Sequence, residues 1–389
     1  MATVTPLPVP DLDPDEDLSL PGRLYHDPEY HRVEMERVMR PSWQIVCHES
    51  DVAAPGEWRT LEFLDESIIV IRGQDEVVRA FANVCRHRGS RLVDGDAGCA
   101  KRLVCPYHAW TYGLDGRLTG VPGREDYPGL APERLRLKVI EHEIWRGFVF
   151  VRLQGGGPSV AEMMAPYEAE VEPYRFEELT ALGRVTLRPR PVNWKNVADN
   201  YSDGLHIPVA HPGLTRLFGR GYTVDAEAHV DRMSGDLIDR PSANPSERAY
   251  QHFLPRVEHL PEQSQRRWLY LKLWPNVAFD IYPDQVDFMQ FLPISPTETL
   301  IREIGYVLPD ERREMRAARY LNWRINRRVN GEDAALIERV QKGMQSPSYT
   351  PGPLGRSEVS LRSFARKLRR LIPEARLERP PAPGWSRRG

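Results

Sequence analysis

The sequence predicts an α+β protein of two domains: a small all-β unit, then a larger one in which helices flank an antiparallel sheet. Three observations carry this expectation. The chain has 389 residues, enough for two ordinary domains with a core each. Its 35 prolines point to many loops and strand ends rather than long helical bundles. The hydrophobic pattern also changes along the chain, from short strand-like runs before residue 154 to mixed helical and strand-like segments after it.

Residues 1–20 are acidic and proline-rich and are expected to form a loosely held arm. A helical pattern follows over 27–40, with Tyr30, Val33, Val38 and Met39 as its apolar positions. Strand-sized runs at 58–63, 67–71, 77–84, 102–105 and 148–153 are separated by Gly, Pro and Asp, as in a compact β unit. Gly155-Gly156-Gly157-Pro158 reads as a linker. Beyond it, four runs at 268–274, 277–282, 286–292 and 299–307 are joined by short proline-containing turns, which favours an antiparallel meander. Helical patterns lie at 193–206, 310–329 and 332–345, and the tail from Pro373 is expected to fray.

Composition excludes several classes. A net charge of −2 gives no global basis for binding nucleic acid, and no apolar stretch reaches the length of a membrane span. The N-terminus lacks the basic and apolar regions of a signal peptide, so the cytoplasm is the expected compartment. Four cysteines do not make a disulfide scaffold, and cysteines clustered with histidines in a reducing compartment point to metal.

That cluster is Cys85-x-His87, seventeen residues, then Cys105-x₂-His108. Two thiolates and two imidazoles suit either tetrahedral zinc or a [2Fe–2S] cluster with both cysteines on one iron and both histidines on the other. Cys47 and Cys99 are left over for packing or loop roles. Arg86, Arg88 and Arg91 form either a docking face for an acidic electron-transfer protein or ordinary surface ion pairs.

A second constellation lies in 193–211. Trp194, Val197, Ala198, Tyr201 and Leu205 form an apolar helical stripe, and Asn196, Asp199, Asn200, Asp203 and His206 the opposite face. His206 and His211 would diverge by about 140° on an ideal helix. Pro208 disturbs the helix between them and could let both imidazoles turn to one point. A carboxylate would complete a facial triad for Fe(II). Asp333 is the best candidate, because it falls on the apolar stripe of Leu336, Ile337, Val340 and Met344. A helix N-terminal acid opposing the dipole is the rival explanation. Glu332 lines up with Arg339, toward solvent.

CRHRG and CPYHAW closely resemble the Rieske signature of aromatic-ring-hydroxylating oxygenases. NWKNVADNYSDGLHIPVAHP and GEDAALIERVQKGMQSPSYTPGPLGRSE resemble the iron-site and C-terminal segments of the same family, and the resemblance runs from about residue 20 to 370. It implies a Rieske domain over 43–154, a helix-grip catalytic domain over 155–389, and residues 1–42 as an arm and helix packing on the latter. It makes Cys85, His87, Cys105 and His108 the cluster ligands, and His206, His211 and Asp333 the ligands of a mononuclear Fe(II). Asp203, with Asn200 near it, becomes a catalytic-site residue rather than a ligand. Asp203 would bridge a neighbouring subunit's Rieske histidine to His206, which makes a head-to-tail homotrimer the expected assembly.

The chain has no strand–GxGxxG–helix unit and no ferredoxin-type cysteine loop, so electrons are expected from a separate NAD(P)H flavin reductase, directly or through a ferredoxin. With O₂, a small aromatic or related organic substrate would be dihydroxylated, hydroxylated or demethylated. A quaternary ammonium or betaine substrate is the alternative. However, Gly204, Leu205 and Ile207 stand where many relatives with such substrates have Cys, Tyr and Cys, and Asp203 replaces their Glu. A non-catalytic Rieske electron carrier is the alternative from another class; it would need neither His206, His211 and Asp333 nor a second domain. Trp268, Tyr270, Trp274, Phe279, Phe288 and Phe291 line either a pocket or the core, and 233–265 is read as an entrance loop.

Overall fold

The computed structural model describes residue 13 and residues 16–387. These divide into two compact units, one of residues 40–162 and 175–181, the other of the remaining described residues.

The first unit is built from small antiparallel sheets. Glu66–Arg72 lies between Glu57–Phe63 and Val78–Ala82, and Ala97–Cys99 pairs with the outer side of Glu57–Phe63. Gln44–His48, Phe148–Arg152 and Glu141–Trp145 make a second sheet. The third is Leu103–Val104, Thr111–Tyr112 and Leu118–Gly120. Ile68 to Ile71 are buried on both faces, which is why that run is continuously apolar. Cys85 and Cys105 belong to the same core as Trp58, Ile69, Phe81 and Tyr112. The glycine run expected as a linker lies inside this unit instead. The Arg152 guanidinium donates to the Gly157 and Pro158 carbonyls at 3.1 and 3.2 Å and ties the run down.

The second unit carries the expected meander. Its strands pair antiparallel in the order Thr186–Arg190, Glu298–Val307, Val286–Ser295, Val277–Ile281, Arg267–Leu273, Val230–Asp236, Thr223–Ala226. One transverse row runs Met233, Tyr270, Asp280, Asp287, Gly305. The patterns at 310–329 and 332–345 are one helix, Arg313–Met344. The intervening Gly331 costs only about 1 kcal/mol, too little to break 32 residues of helix. The 233–265 stretch is not an open loop, since it holds the end of a strand and the helix Pro245–Phe253.

Residues 1–12, 14 and 15 of the expected arm lie outside the described residues, but 16–20 are held firmly. Asp17 is buried and accepts from Arg366 at 2.6 Å and Arg362 at 3.3 Å, while Leu18 bridges to Pro353. Two guanidiniums compensate the buried carboxylate. The start of the tail is also held. Pro373–Arg376 is a short 3₁₀ helix, Ala375 is buried, and Arg23 donates to the carbonyls of Glu374 and Leu377.

Candidate metal centres

The two Cys–His loops of the β unit are built alike. In each, the cysteine N–H donates to a carbonyl five residues on, Cys85 to Ser90 and Cys105 to Trp110, both at 2.8 Å. In each, the residue four on donates back to the cysteine carbonyl, Gly89 at 3.1 Å and Ala109 at 2.9 Å. That residue is left-handed in both, with φ of 75° and 57°. The chain thus makes the same tight knuckle twice and presents one thiol and one imidazole from each.

The donors sort by kind. Both thiols are buried, and they lie close enough for Cys85 to hydrogen-bond Cys105. The rings of His87 and His108 are 4.8 Å apart, and His87 stacks flat on Trp110. Burial works against a thiolate at Cys105, but the backbone N–H groups of Tyr107 and His108 outweigh it and lower the pKa. Tyr112 Oη lies 3.3 Å from Cys85 Sγ. His108 Nδ1 is buried with no hydrogen-bond partner, a costly state unless the nitrogen holds a metal. A sulfur pair beside a nitrogen pair fits a cluster with two cysteines on one iron and two histidines on the other.

Around this set, Arg91 forms a two-pronged ion pair with Glu62, and Arg88 lies over the Tyr107 ring. Cys99 is exposed on a short strand and Cys47 is buried in another.

In the second unit, the helix Trp194–Ser202 is capped by Asn193, whose side chain accepts from Lys195 N–H. It ends earlier than its periodicity predicts. Asp203 turns to an extended conformation and its Oδ1 accepts from Leu205 N–H at 2.8 Å, so Leu205 is exposed rather than on the apolar stripe. This break, not Pro208, frees His206 to turn; Pro208 sits at the start of the next short helix, Ile207–Ala210.

The structure brings His206, His211 and Asp333 together. The two imidazole Nε2 atoms are 3.1 Å apart, and Asp333 Oδ1 is 2.9 Å from that of His211 and 3.6 Å from that of His206. Three ligand atoms about 2.1 Å from a common ion, on one octahedral face, stand about 3 Å apart, so the spacing fits. Each imidazole is also aimed from behind. Asp203 Oδ2 holds His206 Nδ1 at 3.1 Å, and Glu332 Oε2 holds His211 Nδ1 at 2.9 Å. Carboxylates on the far nitrogens set the tautomer and orientation that metal-binding imidazoles need. Asn200 Nδ2 reaches both His206 Nε2 and Asp333 Oδ1.

Glu332 therefore does not face solvent with Arg339 as the helical pattern predicts. Side-chain length lets it curl round the helix to His211, a reach that periodicity does not encode. Burial opposes charge on His206, yet Asp203 and Asp333 raise its pKa to about 9. Burial opposes charge on Asp333 as well, and bonds to His206 and His211 hold it at about 2.

A pocket opens beside the triad, lined by Tyr201, Tyr222, Tyr270, Asp280, Met289 and Glu303 among others. Of the six aromatic residues weighed from sequence, only Tyr270 lines it; Trp268, Phe279, Phe288 and Phe291 are core. Sequence reasoning missed Asp280 and Glu303. For Asp280 the available signal was an acid inside the otherwise apolar strand run VAFDI; Glu303 lies in a mixed strand, ETLIREIGYV, that gives no such signal.

Comparison with known proteins finds two kinds of domain in the chain. Residues 42–138 match the Rieske [2Fe-2S] domain, and residues 176–374 the ring hydroxylating alpha subunit (catalytic domain). The carnitine monooxygenase oxygenase subunit of Escherichia coli is 30% identical over 342 residues, 87% of each chain. The glycine betaine monooxygenase oxygenase subunit of Chromohalobacter salexigens is 28% identical, covering 88% of this chain and 82% of the relative. The choline monooxygenase of Spinacia oleracea is 26% identical, with 88% and 75% covered. Among solved structures, a quaternary ammonium Rieske monooxygenase in complex with L-carnitine superposes with a TM-score of 0.76 at 25% identity, over 95% of this chain and 99% of that one. Naphthalene 1,2-dioxygenase with bound indole shares the fold, with a TM-score of 0.73 at 22% identity over 96% of each chain. The chain belongs to the Rieske-type ring-hydroxylating oxygenases and is the oxygenase component of such a system, with a [2Fe–2S] cluster and a mononuclear iron as its cofactors.

Proposed function

We propose that this oxygenase monooxygenates a quaternary ammonium compound at a carbon bonded to nitrogen. One observation carries the reading: the pocket beside His206, His211 and Asp333 is walled by three tyrosine rings and contains the buried carboxyl of Asp280. Aromatic faces and a carboxylate attract an alkylated ammonium, whereas a neutral aromatic substrate gains nothing from the acid. The carnitine, glycine betaine and choline monooxygenases among the relatives support the same class.

In this reading Cys85, His87, Cys105 and His108 hold the cluster, and His206, His211 and Asp333 hold the mononuclear iron, which supplies O₂ activation when bound. One oxygen atom enters a C–H bond and the other leaves as water, with two electrons and two protons. The electrons come from a separate NAD(P)H reductase. Glu332 and Asp203 accept from Nδ1 of the two imidazoles, which aims Nε2 of each at the ion. Asn200 donates into the ligand set. Asp203 has a second task, accepting from a histidine of a neighbouring copy so that electrons cross between chains of a ring, here a homotrimer. Its side chain is one-fifth exposed, which leaves it accessible for that contact.

Reductase-coupled O₂ uptake tests the substrate class, with N-methyl quaternary ammonium compounds compared against aromatic acids and aryl ethers. Turnover of the aromatics with the cations inert would sink it. Asp203→Asn tests the bridge. Both metals should stay bound and dithionite should still reduce the cluster quickly, while reoxidation by O₂ with substrate slows by orders of magnitude. Reoxidation at the normal rate would remove Asp203 from the electron path.

A further inference from the structure

Asp280 and Asp287 stand directly opposite each other on adjacent strands of the central sheet, and both are buried. Burial is costly for a carboxylate and like charges at a cross-strand position repel, so Asp280 is pushed up to about 7 and Asp287 above the usual carboxylate range. A cation beside Asp280 favours its charged form. Glu303, on the next strand, joins them. Against these three carboxyls the structure sets the Arg188 guanidinium, which pairs with Glu303. Gln285 donates to both oxygens of Asp287 but brings no charge. Lys272, two residues from Tyr270 along the same strand, is committed to Asp231 at 2.9 Å. The group is short of positive charge, and Asp280 and Glu303 both line the pocket at the iron triad.

The oxygens of Asp280 are already occupied: Tyr201 donates to one and Tyr282 to the other. An incoming cation therefore needs to bring charge but no hydrogen-bond donor, and an alkylated ammonium does that. Tyr201 and Tyr222 flank Tyr270 with ring centroids 6.4 and 6.3 Å from it, giving the ammonium three aromatic walls. No lysine or arginine is among the described residues that line the pocket. Arg324, Arg327 and Arg328 line a separate hollow that has only Val329 in common with this one.

We propose that the pocket takes a compact organic cation with no carboxylate of its own, held by the charge of Asp280 within the tyrosine cage, and that it disfavours zwitterions. The proposal rests on the quaternary ammonium reading above and narrows it. A carboxylate in this space would meet Asp280 and Glu303 with no lysine or arginine among the described lining residues to receive it.

The test is binding to the iron-loaded enzyme without O₂, measured by calorimetry. The probes are choline, tetramethylammonium, glycine betaine and the uncharged isostere of choline in which tert-butyl replaces trimethylammonium. Choline and tetramethylammonium should bind about tenfold or more tightly than both the isostere and glycine betaine. Asp280→Asn should erase the advantage over the isostere while leaving the isostere's own affinity unchanged. If that variant loses its fold or cluster spectrum, Tyr222→Leu, which breaks no hydrogen bond of the acid group, should lower cation affinity alone. Glycine betaine binding as well as choline, with the isostere still weak, overturns the exclusion of zwitterions but leaves the quaternary ammonium reading intact. An isostere binding as well as choline overturns both. Undiminished cation preference in Asp280→Asn overturns the role given to Asp280, and in Tyr222→Leu that of the cage.

Discussion

The two proposed metal sites are assembled in opposite ways. The proposed cluster site comes from two copies of one knuckle between Cys85 and Trp110, each closed by its own backbone hydrogen bonds and a left-handed residue at the same place. The proposed iron site takes His206 and His211 from one segment and Asp333 from a helix more than a hundred residues away. Its imidazoles are aimed by Asp203, which is local, and Glu332, which is not. The first site depends on backbone conformation that neighbouring residues set among themselves. The second exists only once a helix has docked on a break in another.

If the sites are as separate as this, damage should not travel between them. The largest effect belongs to the cluster: Cys85→Ser or His108→Ala should abolish its visible absorption and its EPR signal. Fe(II) should still bind at His206, His211 and Asp333. A normal Rieske signal in either variant would remove that residue from the ligand set.

Next in size, His206→Ala, His211→Ala or Asp333→Ala should each lose the mononuclear iron and turnover while the protein stays red-brown. Full iron and activity in Asp333→Ala, with both lost in Asp199→Ala, would move the carboxylate ligand to Asp199.

Glu332→Gln sharpens the contrast, since it removes only a distant aiming group. Iron affinity should fall about 10–100-fold, measured by chelator competition, with the cluster spectrum unchanged. Affinity equal to that of the parent would reduce Glu332 to a surface partner of Arg328.

The smallest effect is one of pH on the metal-free protein. His206 has a folded pKa of about 9 against an ordinary 6.5, so its ion pairs stabilise the metal-free fold fully below pH 6.5. That contribution should fade as pH rises through 9. Iron binding has the opposite sign, because it requires the proton to leave, so its affinity should climb across the same window and level off above 9. Asp333, ionised down to about pH 2, contributes no slope there. Urea melts of metal-free and iron-loaded protein between pH 6 and 9.5 would separate the two trends. Parallel pH profiles would mean that His206 does not hold the ion.

Much of this was legible in the chain itself. Clustered Cys and His in a cysteine-poor sequence spoke for metal because thiolates and imidazoles have few other reasons to recur as pairs. The strand runs and the meander followed from short apolar runs punctuated by Gly, Pro and Asp and from proline turns, and Asp333 stood out because an acid on an apolar stripe needs a reason. Other readings failed where a long-range contact overruled a local pattern. The arm around Asp17 looked solvated until Arg362 and Arg366, some 345 residues on, neutralised it. Leu205 matched the helical period but lies past the point where Asp203 ends the helix.

By itself, then, the sequence determined the kinds of donor, their local spacing and the β and α periodicities, since these depend on near neighbours and backbone geometry. Only the tertiary structure decided which distant acids gather there: Glu332 at His211, and the Asp280–Asp287 pair on adjacent strands. Those contacts depend on how sheet and helices pack and on how far a flexible carboxylate can reach, and no local pattern in the chain records either.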